Sequence, residues 1–423
     1  MNVLDTYLKR VTNYIKSKDA RSFVVTELTQ HIKHAQQGWM NKGLTEEEAL
    51  QKAIAEMGSP STLGASLNKI HKPKVDWLLI GLLVLVMLLS FLPVMTQTMY
   101  SSDLLVKRKV IFVVLGIILA IGLMFLDYRK LQKYGYVFFG IGTAILLCVH
   151  AFRTGYMGGQ PIFVIGSLRI ESSMAIPFYV IAWATLFHNR TNLLMCIRLF
   201  FISLFLLAFN GQTVTLVMYC MLVAVLFWYS TFSKKIKLIA TGIGVTFGSA
   251  ILLFFVKTIR TFQLSQIGVF FNPEVHVDKK GFYYTLLQNV ITQGKWIGAS
   301  DSMVIPDSHT DFVLVGVIQS YGYAFVIVFI TLLALCVIRL MKIVLRVQDP
   351  YARLLLIGGM TIFGGQFVYH VGMTFGFLPI VVMPMPFVSY GLMPTMLGAF
   401  IVGLALSVWR RRNLYVEYNG PVS

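Results

Sequence analysis

The sequence predicts an all-α, polytopic membrane protein, with about ten membrane-spanning helices and a small cytosolic helical bundle ahead of them. Three observations carry this. Of the 423 residues, 57% are hydrophobic and 13% charged, and the mean hydropathy is +0.73, too apolar for a water-soluble core. From Trp77 onward the apolar residues form runs close to the ~20 that cross a bilayer. Before Trp77 they recur at helical spacing among charges instead.

Residues 1–72 carry that amphipathic pattern. Leu4, Tyr7, Leu8, Val11 and Ile15 form one stripe, Phe23, Val24, Leu28 and Ile32 a second, and Ala49, Leu50, Ala53 and Ile54 a third. Thr45 with Glu48 reads as a capping box, and Gly58-Ser59-Pro60 as a helix stop. The expectation is roughly three helices in an independently folding unit, hinged at Pro73. It shows no catalytic constellation. Solvated packing is the plain reading, and partner docking or regulation the alternative. The segment 73–423 is the second expected domain.

The apolar runs lie near 77–95, 110–126, 134–150, 174–189, 192–209, 213–230, 238–256, 312–338, 353–373 and 387–408, with Arg198 interrupting the fifth. The chain opens on a polar stretch, so no cleavable signal peptide is expected. The formal charge of +18 suggests nucleic acid, but its distribution excludes that reading. Arg129, Lys130 and Lys133, then Lys234, Lys235 and Lys237, then Arg339, Lys342, Arg346 and Arg353, then Arg410, Arg411 and Arg412 occupy alternate loops. That is the positive-inside pattern, and it places both termini in the cytoplasm. Lys107, Arg108 and Lys109 break it from the outer side. Cys148, Cys196, Cys220 and Cys336 all fall within runs, without metal-ligand spacing, and read as core residues.

Three outer loops remain: 151–173, rich in glycine; 374–386, rich in proline; and 257–311, far longer than an ordinary connection. The last ends on His309-Thr310-Asp311 and leads into an apolar helix expected from Phe312. An ionisable group at such a boundary is solvated, paired or used. Asp311 or Thr310 can cap that helix. Alternatively, the Asp311 carboxylate can act as a general base or hold a divalent cation such as Mg or Mn, and the residues alone do not choose. No cofactor is otherwise implied. Lys107, Arg108 and Arg260 can bind an anion or snorkel to membrane lipid. His309 can orient Asp311 or donate to phosphate. Ser389 has no neighbour that would make it a nucleophile and reads as the holder of a tight turn. Glu171 and Asp307 read as solvated loop charges.

Several segments resemble the SEDS family (shape, elongation, division and sporulation), which includes FtsW, RodA and SpoVE, over most of residues 77–412. The family's L-P-E-x-H-T-D-F-I-F stands here as Ile305-Pro306-Asp307-Ser308-His309-Thr310-Asp311-Phe312-Val313-Leu314. Its G-L-L-P and P-L-P-F-V-S-Y-G-G stand as Gly376-Phe377-Leu378-Pro379 and Pro384-Met385-Pro386-Phe387-Val388-Ser389-Tyr390-Gly391, and its V-K-R-Q as Val106-Lys107-Arg108-Lys109. Residues 43–60 are similar to a cytosolic prefix found ahead of some bacterial permeases. The resemblance implies a ten-span glycosyltransferase that polymerises lipid II into glycan strands outside the bacterial plasma membrane, with a class B penicillin-binding protein as partner. It makes Asp311 the catalytic carboxylate and implies substrate binding by Lys107, Arg108, Arg260, His309, Thr310 and Ser389.

The chain departs from the pattern elsewhere. Gly-Ala-x-Arg-Trp is replaced near Gly159-Gln160-Pro161-Ile162-Phe163, Gln-Pro-Ser-Glu by Ile170-Glu171-Ser172-Ser173, and the lysine after it by Ile176. Pro-Asp-Leu-Gly-Thr becomes Gly211-Gln212-Thr213-Val214-Thr215, the Gly-Glu pair Ile318-Gln319, and Gly-Gly-Ser-Ser becomes Gly391-Leu392-Met393-Pro394. These losses motivate a rival reading, a non-catalytic scaffold or regulator of cell-wall machinery. A lipid transporter is the third, and the scarcity of charge within the spans counts against it.

Overall fold

The computed structural model describes residues 3–96, 102–157, 160–166, 168–211, 213–242, 269–270, 281–300, 305–381 and 383–414. It separates into two compact units, one of Met1–Asp76 with Val408–Ser423 and one of Trp77–Ser407.

The first unit holds four helices, Val3–Asn13, Lys18–Met40, Glu46–Glu56 and Pro60–Ile70, where roughly three were expected. The stop read at Gly58-Ser59-Pro60 is also a start. Ser59 caps the fourth helix by accepting from Thr62 N at 3.3 Å, and Pro60 occupies its first turn, where a missing N–H costs nothing. At the third helix Glu48 accepts from Thr45 N at 3.2 Å. The apolar stripes meet as one core of Tyr7, Leu8, Val11, Ile15, Ala20, Val24, Leu28, Ile32 and Ala53, and Leu414 belongs to it. Arg411, 5% exposed, donates from Nε to Asp19 Oδ2 at 2.9 Å. Asn413 donates to Ile70 O at 3.0 Å, and its own carbonyl lies 2.9 Å from His71 Nδ1.

The second unit is a bundle of apolar helices. Those long enough to cross a membrane, among the described residues, are Trp77–Met95, Ser102–Phe125, Tyr128–Ala151, Tyr323–Arg346, Pro350–Thr374 and Leu392–Arg411; Ser172–His188, Leu193–Phe209 and Val214–Tyr229 are shorter. The expected run 238–256 leaves the described residues after Gly242. The helix Leu193–Phe209 continues through Arg198, whose side chain is exposed.

The run expected at 312–338 is not one helix. It divides at Gly322 into Val313–Tyr321 and Tyr323–Arg346. Gly322 has φ +92°, and a Cβ there would meet the carbonyls of Lys295 and Trp296 at 2.7 Å. Glycine alone gives that conformation with that approach. Tyr323 N and Ala324 N then donate to Lys295 O and Trp296 O at 3.0 and 3.1 Å, so the outer loop is fastened where the helix breaks. The last helix starts at Leu392, five residues later than the run at 387–408, because residues 386–391 form turns and a bend.

The glycine-rich outer loop qualifies the all-α expectation. It folds into three antiparallel strands, β1 (Gly155–Met157), β2 (Gln160–Ile165) and β3 (Leu168–Ile170), in that spatial order. Phe163 pairs with Ile170 and Val164 with Arg169. Aromatic and β-branched residues suit this pleated surface.

Candidate active site at the His-Thr-Asp turn

Residues 306–312 form a tight turn ahead of the helix Val313–Tyr321. Asp307 adopts φ +56°. Its carbonyl accepts from Thr310 N, Asp311 N and Phe312 N at 3.0, 3.1 and 3.2 Å, and from Thr310 Oγ1 at 3.2 Å. The helix is capped by Phe312 with no side-chain bond, so neither Thr310 nor Asp311 serves as its cap. The turn lies flat on the helix because Gly316 has no side chain: a Cβ there would run into the Ser308 carbonyl and Ser308 Cβ.

A second motif locks the turn. Tyr390 N donates to His309 O at 2.8 Å. Ser389, fully buried, donates from Oγ to Thr310 O at 2.7 Å and accepts from Met385 N at 2.9 Å. The His309 ring, itself buried, packs on Tyr390 at 5.4 Å. Beneath these, Lys109 is wholly buried and donates from Nζ to Phe387 O at 2.9 Å and to Ser389 O at 3.4 Å. Three segments distant in sequence thus hold one another through backbone carbonyls, which must find donors in an apolar interior.

The charges around Asp311 give it an unusual environment. Burial first, then the negative charges of Asp307 and Glu171, raise its carboxyl to about 6. Glu171 is likewise raised by burial, opposed by a bond from Ser173 Oγ at 3.2 Å and by Arg169. His309 is lowered by burial, opposed by Asp307. Among the described residues no side chain or backbone N–H donates to the Asp311 carboxylate. A carboxylate so placed can take a proton near neutral pH. No group of three His, Cys, Asp or Glu side chains among the described residues is arranged to hold a metal ion.

The sequence candidates divide accordingly. Asp311, His309, Thr310 and Ser389 come together. Lys107 and Arg108 are exposed on the helix Ser102–Phe125, and the Arg108 guanidinium acts on the Tyr390 hydroxyl. Arg260 lies outside the described residues. Sequence reasoning missed Glu171 and Arg169, on and just after β3. It took Glu171 for a solvated charge, whereas Glu171 is partly buried and acts on Asp311; Asp307 is exposed but acts on it too. Lys109 was visible only as one of three cations on the wrong side of the membrane.

The FtsW/RodA/SpoVE cell cycle protein family matches residues 72–414. The chain belongs to this family. It is 24% identical over 356 residues to the peptidoglycan glycosyltransferase MrdB of Escherichia coli K12, covering 79% of this chain and 93% of MrdB. It is 34% identical over 122 residues to the probable peptidoglycan glycosyltransferase FtsW of Geobacter metallireducens, covering 29% of this chain and 32% of that one. The fold is similar to a chain of a peptidoglycan synthase complex that coordinates polymerization and crosslinking, with TM-score 0.67 and 22% identity over 82% of this chain and 99% of that one. It also resembles the rod shape determining protein RodA of Thermus thermophilus, with TM-score 0.58 and 21% identity over 80% and 97%.

Proposed function

We propose that this FtsW/RodA/SpoVE-family protein is a peptidoglycan glycosyltransferase that polymerises lipid II, with Asp311 as general base. One observation carries the reading: a carboxylate without a hydrogen-bond donor among the described residues, raised to about 6, stands on a turn fixed by Ser389 and Tyr390. The acceptor sugar hydroxyl attacks the anomeric carbon of the donor. A new glycosidic C–O bond forms, the bond from that carbon to the diphosphate breaks, and the hydroxyl proton passes to Asp311. A base whose pKa lies near the working pH suits this step. Arg108, exposed and acting on Tyr390, and its exposed chain neighbour Lys107 can bind the leaving diphosphate.

The names of the curated relatives support this activity, and the synthase complex among the structural neighbours supports a penicillin-binding protein as partner. The protein is multi-pass; the bacterial plasma membrane and cytoplasmic termini complete the proposal, from the alternation of basic loops. The purified protein should polymerise lipid II, and Asp311→Asn should abolish that. Full activity in Asp311→Asn would reject the base. No polymer from the folded wild type, with or without a transpeptidase partner, would favour the scaffold reading. Reporters fused at residue 1 and after Ser423 should both report cytoplasm.

A further inference from the structure

Asp307 is one of three non-glycine residues with positive φ among the described ones, with Arg190 and Phe387. Aspartate tolerates this left-handed region better than most residues, at a cost that other side chains exceed. The conformation has a consequence for Asp311. An Asp near a helix start ordinarily turns its carboxylate back to accept the free N–H groups of the first turn. Here the N–H groups of Thr310, Asp311 and Phe312, which precede the first turn of the helix Val313–Tyr321, converge on the Asp307 carbonyl. That carbonyl thus fixes the backbone that carries the Asp311 carboxylate, which itself accepts no N–H among the described residues.

The charge of Asp307 acts on the same group. Among the described residues the groups that face Asp311 are Asp307 and Glu171, both acidic. Arg169 faces Glu171, Asp307 also faces His309, Arg108 and Arg169 face Tyr390, and Lys109 is engaged with the carbonyls of Phe387 and Ser389. We propose that Asp307 is a positioning residue for Asp311, acting through its left-handed backbone and through the charge of its carboxylate. This rests on the reading of Asp311 as the base.

The test uses the full-length protein and lipid II polymerisation between about pH 5.5 and about pH 8. Asp307→Asn and Asp307→Gly tolerate the backbone and remove the charge; Asp307→Glu keeps the charge. Without the neighbouring charge Asp311 gives up its proton at lower pH. The ratio of kcat/KM at the acid pH to that at the alkaline pH should therefore rise about twofold or more in the Asn and Gly variants. It should stay at the wild-type value in Asp307→Glu. Because Asp307 is exposed, the gain should shrink in about 1 M salt. Asp307→Ala lacks the same charge as Asp307→Gly and differs from it in backbone freedom, so it should be several-fold slower at every pH. Unchanged ratios in Asn and Gly, or equal rates in Ala and Gly, would overturn the proposal. So would aggregation of the Asn and Gly variants, or a folded Asn variant inactive at every pH, which would place Asp307 in the chemistry itself. Wild-type rates in Asp311→Asn would bring down the underlying base instead.

Discussion

The two units expose opposite kinds of residue. In the helix Val3–Asn13 the buried side chains are Tyr7, Leu8 and Val11, and lysine and arginine face outward. In the helix Ser102–Phe125 the buried set is Leu105, Lys109, Val113, Gly116 and Ala120, while Val110, Ile111, Val114, Leu115, Ile118 and Ile121 are exposed, Ile118 at 61%. Apolar side chains are core in both units, but only in the second do they also make up most of the exposed face of a helix. Water drives apolar side chains inward, whereas lipid is as apolar as leucine and gives them no such preference. What remains to select the inside of the second unit is close packing and hydrogen bonding. That selection favours glycine at Gly116, which leaves room for Met87 and Thr395, each 3.1 Å from where a Cβ would stand. It also favours Lys109, whose ammonium finds two carbonyls.

Substitutions can break this contrast. The largest effect should come from the carboxylate of the membrane unit that is proposed as the base. Asp311→Asn should lower lipid II polymerisation by about 100-fold or more. Its thermal stability should move the other way. The native carboxyl is raised to about 6 from its ordinary value of 3.8, so its contribution to stability is present below about pH 4 and is lost as pH rises through about 6. Asp311→Asn should flatten that slope and melt no lower than wild type near pH 8, as thermal denaturation in detergent will show. Lys109→Met comes next. It leaves the Phe387 and Ser389 carbonyls without a donor at ~1–3 kcal/mol, and should loosen the motif that holds Thr310 and His309, which hydrogen exchange over residues 385–391 would reveal. Gly116→Leu should cost about 1–3 kcal/mol through overpacking, whereas Ile118→Leu, on the exposed side of the same helix, should leave the melting temperature unchanged. A measurable loss at residue 118 with none at residue 116 would invert the comparison. The smallest measurable loss belongs to the first unit. Arg411→Ala removes a buried partner of Asp19, but Asp19 is 40% exposed and can rehydrate. Expected is a loss on the order of 1 kcal/mol, read as faster exchange in the helix Lys18–Met40.

Much of the fold could be read one segment at a time. A run of apolar residues or a stripe at helical spacing is local information, because partition into lipid and amphipathic burial act over about one helix length. The turn motifs around His309 and Ser389 were legible as strings, and Asp311 as the carboxylate at the edge of a span. The break at Gly322 was not legible. Glycine within an apolar run is common in membrane helices, and only the approach of Lys295 and Trp296 fixes its backbone. Nor did composition separate Lys109 from Lys107 and Arg108, since three consecutive cations point to different faces of a helix.

By itself, then, the amino-acid sequence determined the helical membrane class, the amphipathic N-terminal segment and the residues available for chemistry. Tertiary structure alone decided which of them meet. Ser389 reaches Thr310 across 79 positions and Lys109 reaches Phe387 across 278. Glu171 acts on Asp311 from the end of a strand, and Leu414 joins a core formed by the first residues of the chain. Such pairings depend on which helix faces touch, and in lipid that choice rests on packing complementarity and on satisfying buried polar groups. Hydropathy along the chain does not encode either quantity.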